Sequence, residues 1–304
     1  LWRRRFRRVP AERTDFFLRV YKRLLRRLKN TPRIKMNKIL LSNLDFPEGP
    51  AVGKNGEIWF VELHGGNVCR HIPGSDTRRF HIEGGKPNGI AVDSKGEIWF
   101  CDAGNDCVSV LSPSNGKVRT VCAEIGGEKL AHPNDLAFDS LGNLLFTCPG
   151  ESRTSPTGYV CALSKEGVKK IIDGKFFPNG LAFTPDGKSL VIAETYKKRL
   201  WKGDWNPATL EWSNPQIFAE TGGNIGPDGM AFGDDGNLYV AVFGGGAVKI
   251  VSPEGKIAGE IKLEGQNPSN CAFIPGGGLL ITETEKSQLL LADINVGPGG
   301  LFYA

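Results

Sequence analysis

The sequence predicts an all-β fold, a six-bladed β-propeller, carried behind a basic N-terminal extension. Three observations predict it: a motif that recurs six times, a composition rich in turn formers, and a charge distribution that sets the first 35 residues apart. With 40 Gly and 19 Pro among 304 residues and 40% hydrophobic content, the chain can bury a core and must make many turns. It is too apolar for a disordered chain, and its composition suits short strands better than long helices.

Residues 1–35 hold 11 Arg and 3 Lys against Glu12 and Asp15, net +12, whereas 36–304 hold 24 basic and 31 acidic residues, net −7. An acidic body argues against a nucleic-acid partner for the folded part. In the segment DFFLRVYKRLLRRLK, Phe17, Tyr21, Leu24, Leu25 and Leu28 recur at helical spacing among Arg and Lys, so as a helix it would be amphipathic and strongly basic. It reads either as a membrane-surface or targeting helix or as upstream or appended sequence, since Met36 opens a run that resembles a natural start. Residues 1–35 are therefore expected outside the fold and 36–304 within it, with membrane contact available only through 1–35.

The six copies are FPEGPAVGKNGEIWFVE (46–62), KPNGIAVDSKGEIWFCD (86–102), HPNDLAFDSLGNLLFTC (132–148), FPNGLAFTPDGKSLVIAE (177–194), GPDGMAFGDDGNLYVAV (226–242) and NPSNCAFIPGGGLLITE (267–283). Their prolines, Pro47, Pro87, Pro133, Pro178, Pro227 and Pro268, are spaced by 40, 46, 45, 49 and 41 residues. Each copy reads as a Pro-polar turn, a short strand, a Gly-bearing turn and a second apolar strand, which is a hairpin. Further strand-like runs between copies bring the count to four per unit, the arithmetic of a propeller blade. After its own hairpin the last copy has only QLLLADI and a short tail, so Lys38–Ser42 is expected to supply the missing outer strand from the other end of the chain.

In a propeller the innermost strands line a central channel, so one repeat position forms a ring. After the prolines come Glu48, Asn88, Asn134, Asn179, Asp228 and Ser269, all oxygen carriers. Such a ring suits Ca²⁺, Mg²⁺ or Mn²⁺ better than a structural zinc. Pro-polar-Gly turns also serve purely as turns; two acids converging on one axis, however, are costly unless a cation neutralises them. The acids of the lower turns, Asp93, Asp139, Asp186, Asp234 and Asp235, read as turn residues, and Trp59 and Trp99 as packing. His64, His71 and His81 fall in expected loops, while His132 lies two residues before Asn134, near the channel mouth. GxSxG, HExxH, GxGxxG before a helix and Walker loops are absent. Seven Cys without a CxxC pair point to thiols in a reducing compartment, so a cytoplasmic location is expected.

FPEGP at 46–50, HPNDLAFD at 132–139, FPNGLAFTPDG at 177–187 and GPDGMAF at 226–232 together resemble the SMP-30/gluconolactonase group of six-bladed propellers, over roughly 36–304. The resemblance implies one divalent ion, Ca²⁺ first with Mn²⁺, Mg²⁺ or Zn²⁺ as alternatives, held by Glu48, Asn179 and Asp228, with Asn134 as fourth ligand or substrate contact. It implies a lactonase that opens sugar-type lactones, with the ion as Lewis acid, Asp228 as general base, and Asn88, His132 and Asn134 orienting the substrate. Several members carry Arg where this chain has His132, which leaves the substrate open. The rival readings are a non-catalytic ligand-binding propeller with a structural ion and a strictosidine-synthase-like enzyme.

Overall fold

The computed structural model describes residues 37–300; the readings of residues 1–35 fall outside them. The described residues form six four-stranded antiparallel sheets, the blades of a propeller, and one small hairpin, Glu124–Ile125 with Glu128–Lys129. The innermost strands are Pro47–Val52, Pro87–Val92, Leu136–Phe138, Pro178–Phe183, Gly226–Phe232 and Pro268–Phe273. They pack on one another from blade to blade around the axis. In the first five blades the strands follow in chain order from the axis outward. The sixth takes three strands from 268–292 and its outer strand, Lys38–Leu41, from the start of the described chain, with Lys38 opposite Leu291. The expected closure is therefore present.

Burial follows distance from the axis. The second strand of each blade is sandwiched between neighbouring blades on both faces, so Ile58–Glu62 and Leu144–Cys148 are buried throughout. An outer strand such as Val118–Cys122 is mostly exposed and carries polar residues. Six apolar clusters fill the six seams, each drawn mainly from two adjacent blades. Trp59, Val61 and Phe80 meet Ile90 and Phe100 at the first seam, and Phe60 and Cys69 meet Ile274, Leu280 and Leu289 where the ring closes. No blade can keep its faces dry without both neighbours.

The lower turns follow the sequence reading. Asp93 Oδ1 accepts from the Lys95 and Glu97 amides at 2.8 and 2.9 Å, and Asp139 Oδ1 from those of Leu141 and Asn143 at 2.9 Å. The second oxygens of Asp93, Asp139 and Asp235 accept from Trp99, Trp205 and Tyr239. The first blade has Gly53 at that turn, and the Trp59 indole N–H is buried without a partner. Two of the three histidines expected in loops instead close strands. The ladder extends to the pairs Ile58–His71 and Asn67–His81, and His71 and His81 contact Thr77 and Asn67. All seven cysteines are buried thiols. Among the described residues no helix is long and apolar enough to cross a membrane.

Candidate functional site

The registers fix which loops share a face. Pro47 pairs with Glu62, Glu62 with Asn67, and Asn67 with His81. The start of an inner strand therefore lies at the same end as the turn between second and third strands and the loop arriving from the previous blade. At that end the ladder slips in five blades, between Glu48 and Ala51, Pro87 and Ile90, Pro178 and Leu181, Pro227 and Met230, and Pro268 and Asn270. Such bulges twist the strand and re-aim side chains. They coincide with the polar position of the motif.

Glu48, Asn88, Asn179, Asp228 and Ser269 are buried there, and Asn134 is half-buried just ahead of its short inner strand. Asn179 donates its amide to Asp228, and the Glu48 and Asp228 charges act on each other. The Gly89 amide donates to the Asn134 carbonyl at 2.7 Å, tying the second and third blades at this level. Ser269 faces the protein: its hydroxyl contacts the Pro47 carbonyl and the Thr282 hydroxyl, both at 2.9 Å, and it also reaches Glu48.

Two members of the ring lie outside the polar position read from the motif. Asp135 and Asn270 occupy the slot that is glycine in the other four copies, and both are buried. A Cβ at Gly89 would overlap the Asp135 carboxylate, and one at Gly229 the Asn270 amide. Each larger side chain thus fits because its neighbour has none. Asn270 accepts from the Cys271 amide at 2.8 Å and donates its own N–H groups to Glu48 and Asp135. Asp135 Oδ1 accepts from the Leu136 amide at 2.9 Å. The departure of HPND and NPSN from the Pro-polar-Gly pattern was the sequence signal that could have found them.

Three carboxyl groups thus share one dry site. Burial pushes Glu48 up to about 8 and Asp135 up to about 7, and it lifts Asp228 well above the usual carboxylate range. For Asp228 the charges of Glu48 and Asp135 add to the burial. Among the described residues, the charges that act on Glu48 and Asp228 are those of other carboxylates. Among the described residues no three His, Cys, Asp or Glu side chains close into a cluster that could by itself hold an ion.

Around the mouth, His132 has φ 50°, and its Nδ1 lies 2.9 Å from Asp106 Oδ1 and 3.1 Å from the Ala103 carbonyl. These two acceptors place the proton on Nδ1 and leave Nε2 as an acceptor in the neutral ring. Acids at the ends of the second strands hold the loops. Asp102 accepts from the Lys86 amide at 2.8 Å, Glu194 from Phe176 at 2.8 Å, and Glu283 from Asn267 at 2.8 Å. Glu62 instead accepts from Nε and Nη2 of Arg79, at 2.7 and 2.8 Å. Below the polar ring, a cavity of about 180 Å³ runs between the apolar parts of the inner strands, lined by Ile90, Leu136, Leu181, Met230 and Phe273 and bordered by Pro298 and Gly300. Asp135 and Asn270 are its polar boundary.

Residues 46–284 match the SMP-30/gluconolactonase/LRE-like region. Diisopropyl-fluorophosphatase of Loligo vulgaris is 28% identical over 280 residues, 80% of this chain and 87% of that protein. The lactonase drp35 of Staphylococcus aureus strain USA300 is 31% identical over 180 residues, 56% of this chain and about half, 53%, of the relative. The solved structure of regucalcin from Agrobacterium tumefaciens strain C58, described as a calcium-binding protein, superposes with a TM-score of 0.77 at 18% identity, covering 88% of this chain and 97% of that one. With its family region spanning five of the six blades and reaching into the sixth, the chain belongs to the SMP-30/gluconolactonase/LRE-like family.

Proposed function

We propose that the protein is a divalent-metal-dependent hydrolase that opens lactones, with sugar-type lactones as the class expected from the family resemblance. The observation that carries this reading is the set of three buried carboxyls, Glu48, Asp135 and Asp228, with no cationic partner among the described residues. Like charges held dry and close require either protons or a cation. Oxygen donors from carboxylates and carboxamides fit a hard divalent ion, Ca²⁺ first, and the chain offers no thiolate or imidazole in the ring. Glu48, Asn134, Asn179 and Asp228 would hold it.

Such an ion, when bound, supplies Lewis acidity toward a carbonyl oxygen and favours the ionised form of the surrounding carboxyls. Asp228 then serves as general base, taking a proton from the attacking water. Asn179 donates to Asp228 and fixes its orientation. Asn88, Asn134 and His132 present amide and imidazole groups that orient the substrate's oxygens. The buried, unpaired thiols support a reducing, cytoplasmic setting.

The test is proton release from a panel of aldonolactones and simple lactones, with and without chelator, in the native protein and in Asp228→Ala. Turnover lost in both conditions is the expected result. Turnover that survives both removes the assigned roles, and ion-dependent melting without turnover on any lactone or ester favours a binding propeller.

A further inference from the structure

The mouth of the channel is chemically divided. Phe46 immediately precedes Pro47-Glu48, and Phe243 pairs with Gly226, the residue before Pro227-Asp228. These aromatics belong to the first and fifth blades, which flank the sixth, and their ring centroids are 6.5 Å apart and stacked. His64 extends the patch, 4.5 Å from Phe46. In the fourth blade Phe177 precedes Pro178-Asn179 and packs edge-on against Tyr196 at 5.4 Å. Phe46, Phe177 and Phe243 are half-buried, and Tyr196 is 39% exposed.

Backbone conformation supports a role for these positions. Phe46 and Phe177 have φ of 58° and 57°, a region that bulky side chains rarely adopt. Strain of this kind persists where the surroundings enforce it, and such sites cluster around ligands. Opposite the Phe46–Phe243 pair, in the third blade of six, stand His132 and its partner Asp106 of the adjoining second blade. One sector of the mouth therefore presents the Phe46–Phe243 pair, rimmed by His64 and Asp45, and the facing sector presents His132 and Asp106.

We propose that this aromatic sector selects lactones that carry an alkyl or aryl substituent over polyhydroxylated sugar lactones, with Phe46 and Phe243 holding the apolar group and the His132 sector receiving the oxygens. The inference rests on the lactone-hydrolase reading and replaces the sugar-type class expected from the resemblance. A sugar lactone has hydroxyls around its ring, and those set against Phe46 and Phe243 would lose water without gaining a hydrogen-bond partner. An alkyl or aryl group placed there instead removes apolar surface from water on both sides.

The experiment compares kcat/KM for δ-decalactone and γ-phenyl-γ-butyrolactone with that for glucono-1,5-lactone, in the native protein and in Phe243→Ser and Phe243→Leu. The expected result is a preference of about tenfold or more for the substituted lactones, lost in Phe243→Ser and largely kept in Phe243→Leu. A preference for glucono-1,5-lactone overturns this inference and leaves lactone hydrolysis standing. Calorimetric binding of the unreactive lactams corresponding to δ-decalactone and glucono-1,5-lactone gives a readout independent of turnover. If no lactone is opened, the hydrolase reading falls. Binding of the alkyl lactam alone, abolished in Phe243→Ser, then still supports the aromatic sector, whereas preferential binding of the sugar lactam, or binding of neither, overturns it.

Discussion

The Asp135 carboxylate occupies the space that a Cβ on Gly89 would need. The third blade can send a side chain to the axis because the second blade gives up its own. Gly89→Ala is expected to push Asp135 off its hydrogen bond to Leu136 and to destabilise the fold by about 2–3 kcal/mol. Thermal denaturation with and without added Ca²⁺ checks this: the ion-dependent rise in Tm should shrink along with the Tm itself.

Asp228→Asn should separate stability from function. The substitution replaces a carboxyl whose ionised form is penalised by burial and by Glu48 and Asp135 with a neutral amide, so in chelator the Tm should equal or exceed that of the native protein. Lactone turnover should fall by about a hundredfold or more, the usual range for a lost general base. A lowered Tm in chelator would contradict the repulsion described here.

The pH dependence has a definite sign. Glu48 and Asp135 are raised to about 8 and about 7, so between about pH 4 and pH 8 these two groups bind more protons in the folded chain than in the unfolded one. Stability in chelator should therefore be fullest at the acidic end of that window and decline as pH rises through 7 to 8. Saturating Ca²⁺ should oppose the decline, because the ion replaces those protons. Melting curves at half-unit pH steps, in chelator and in Ca²⁺, measure both effects.

Asp139→Ala tests the opposite end of the blades. Its carboxylate accepts from the Leu141 and Asn143 amides, the Asn143 side chain and the Trp205 indole of the next blade, and it is fully buried. Its loss should cost about 2–4 kcal/mol, read by urea denaturation, with kcat unchanged. A loss of activity at full saturation with folded protein would assign this acid a part in the chemistry.

The blade count, the closure by Lys38–Leu41 and the turn role of Asp93 and Asp139 were legible because a repeated motif reports a repeated geometry. The polar ring was legible for the same reason, at Glu48, Asn179 and Asp228. Asp135 and Asn270 were hidden by that logic: they sit where the repeat is broken, and their fit depends on Gly89 and Gly229 in neighbouring copies. The left-handed backbone at Phe46, His132 and Phe177 leaves no mark in the sequence, since phenylalanine gives no sign of positive φ. His71 and His81 were misplaced because the ladders run one pair further than their polar surroundings suggest.

The pairing of Lys38 with Leu291 joins segments about 250 residues apart in sequence, so the ring has a clasp that is the last thing to close. A chain emerging from the ribosome can form its early hairpins, but the first blade faces solvent on the side later covered by Ile274, Leu280 and Leu289. Until synthesis reaches those residues, Phe60 and Cys69 have no partner across the seam, and that apolar face is open to other chains. In the finished ring, opening any seam exposes two blades at once, which favours cooperative unfolding.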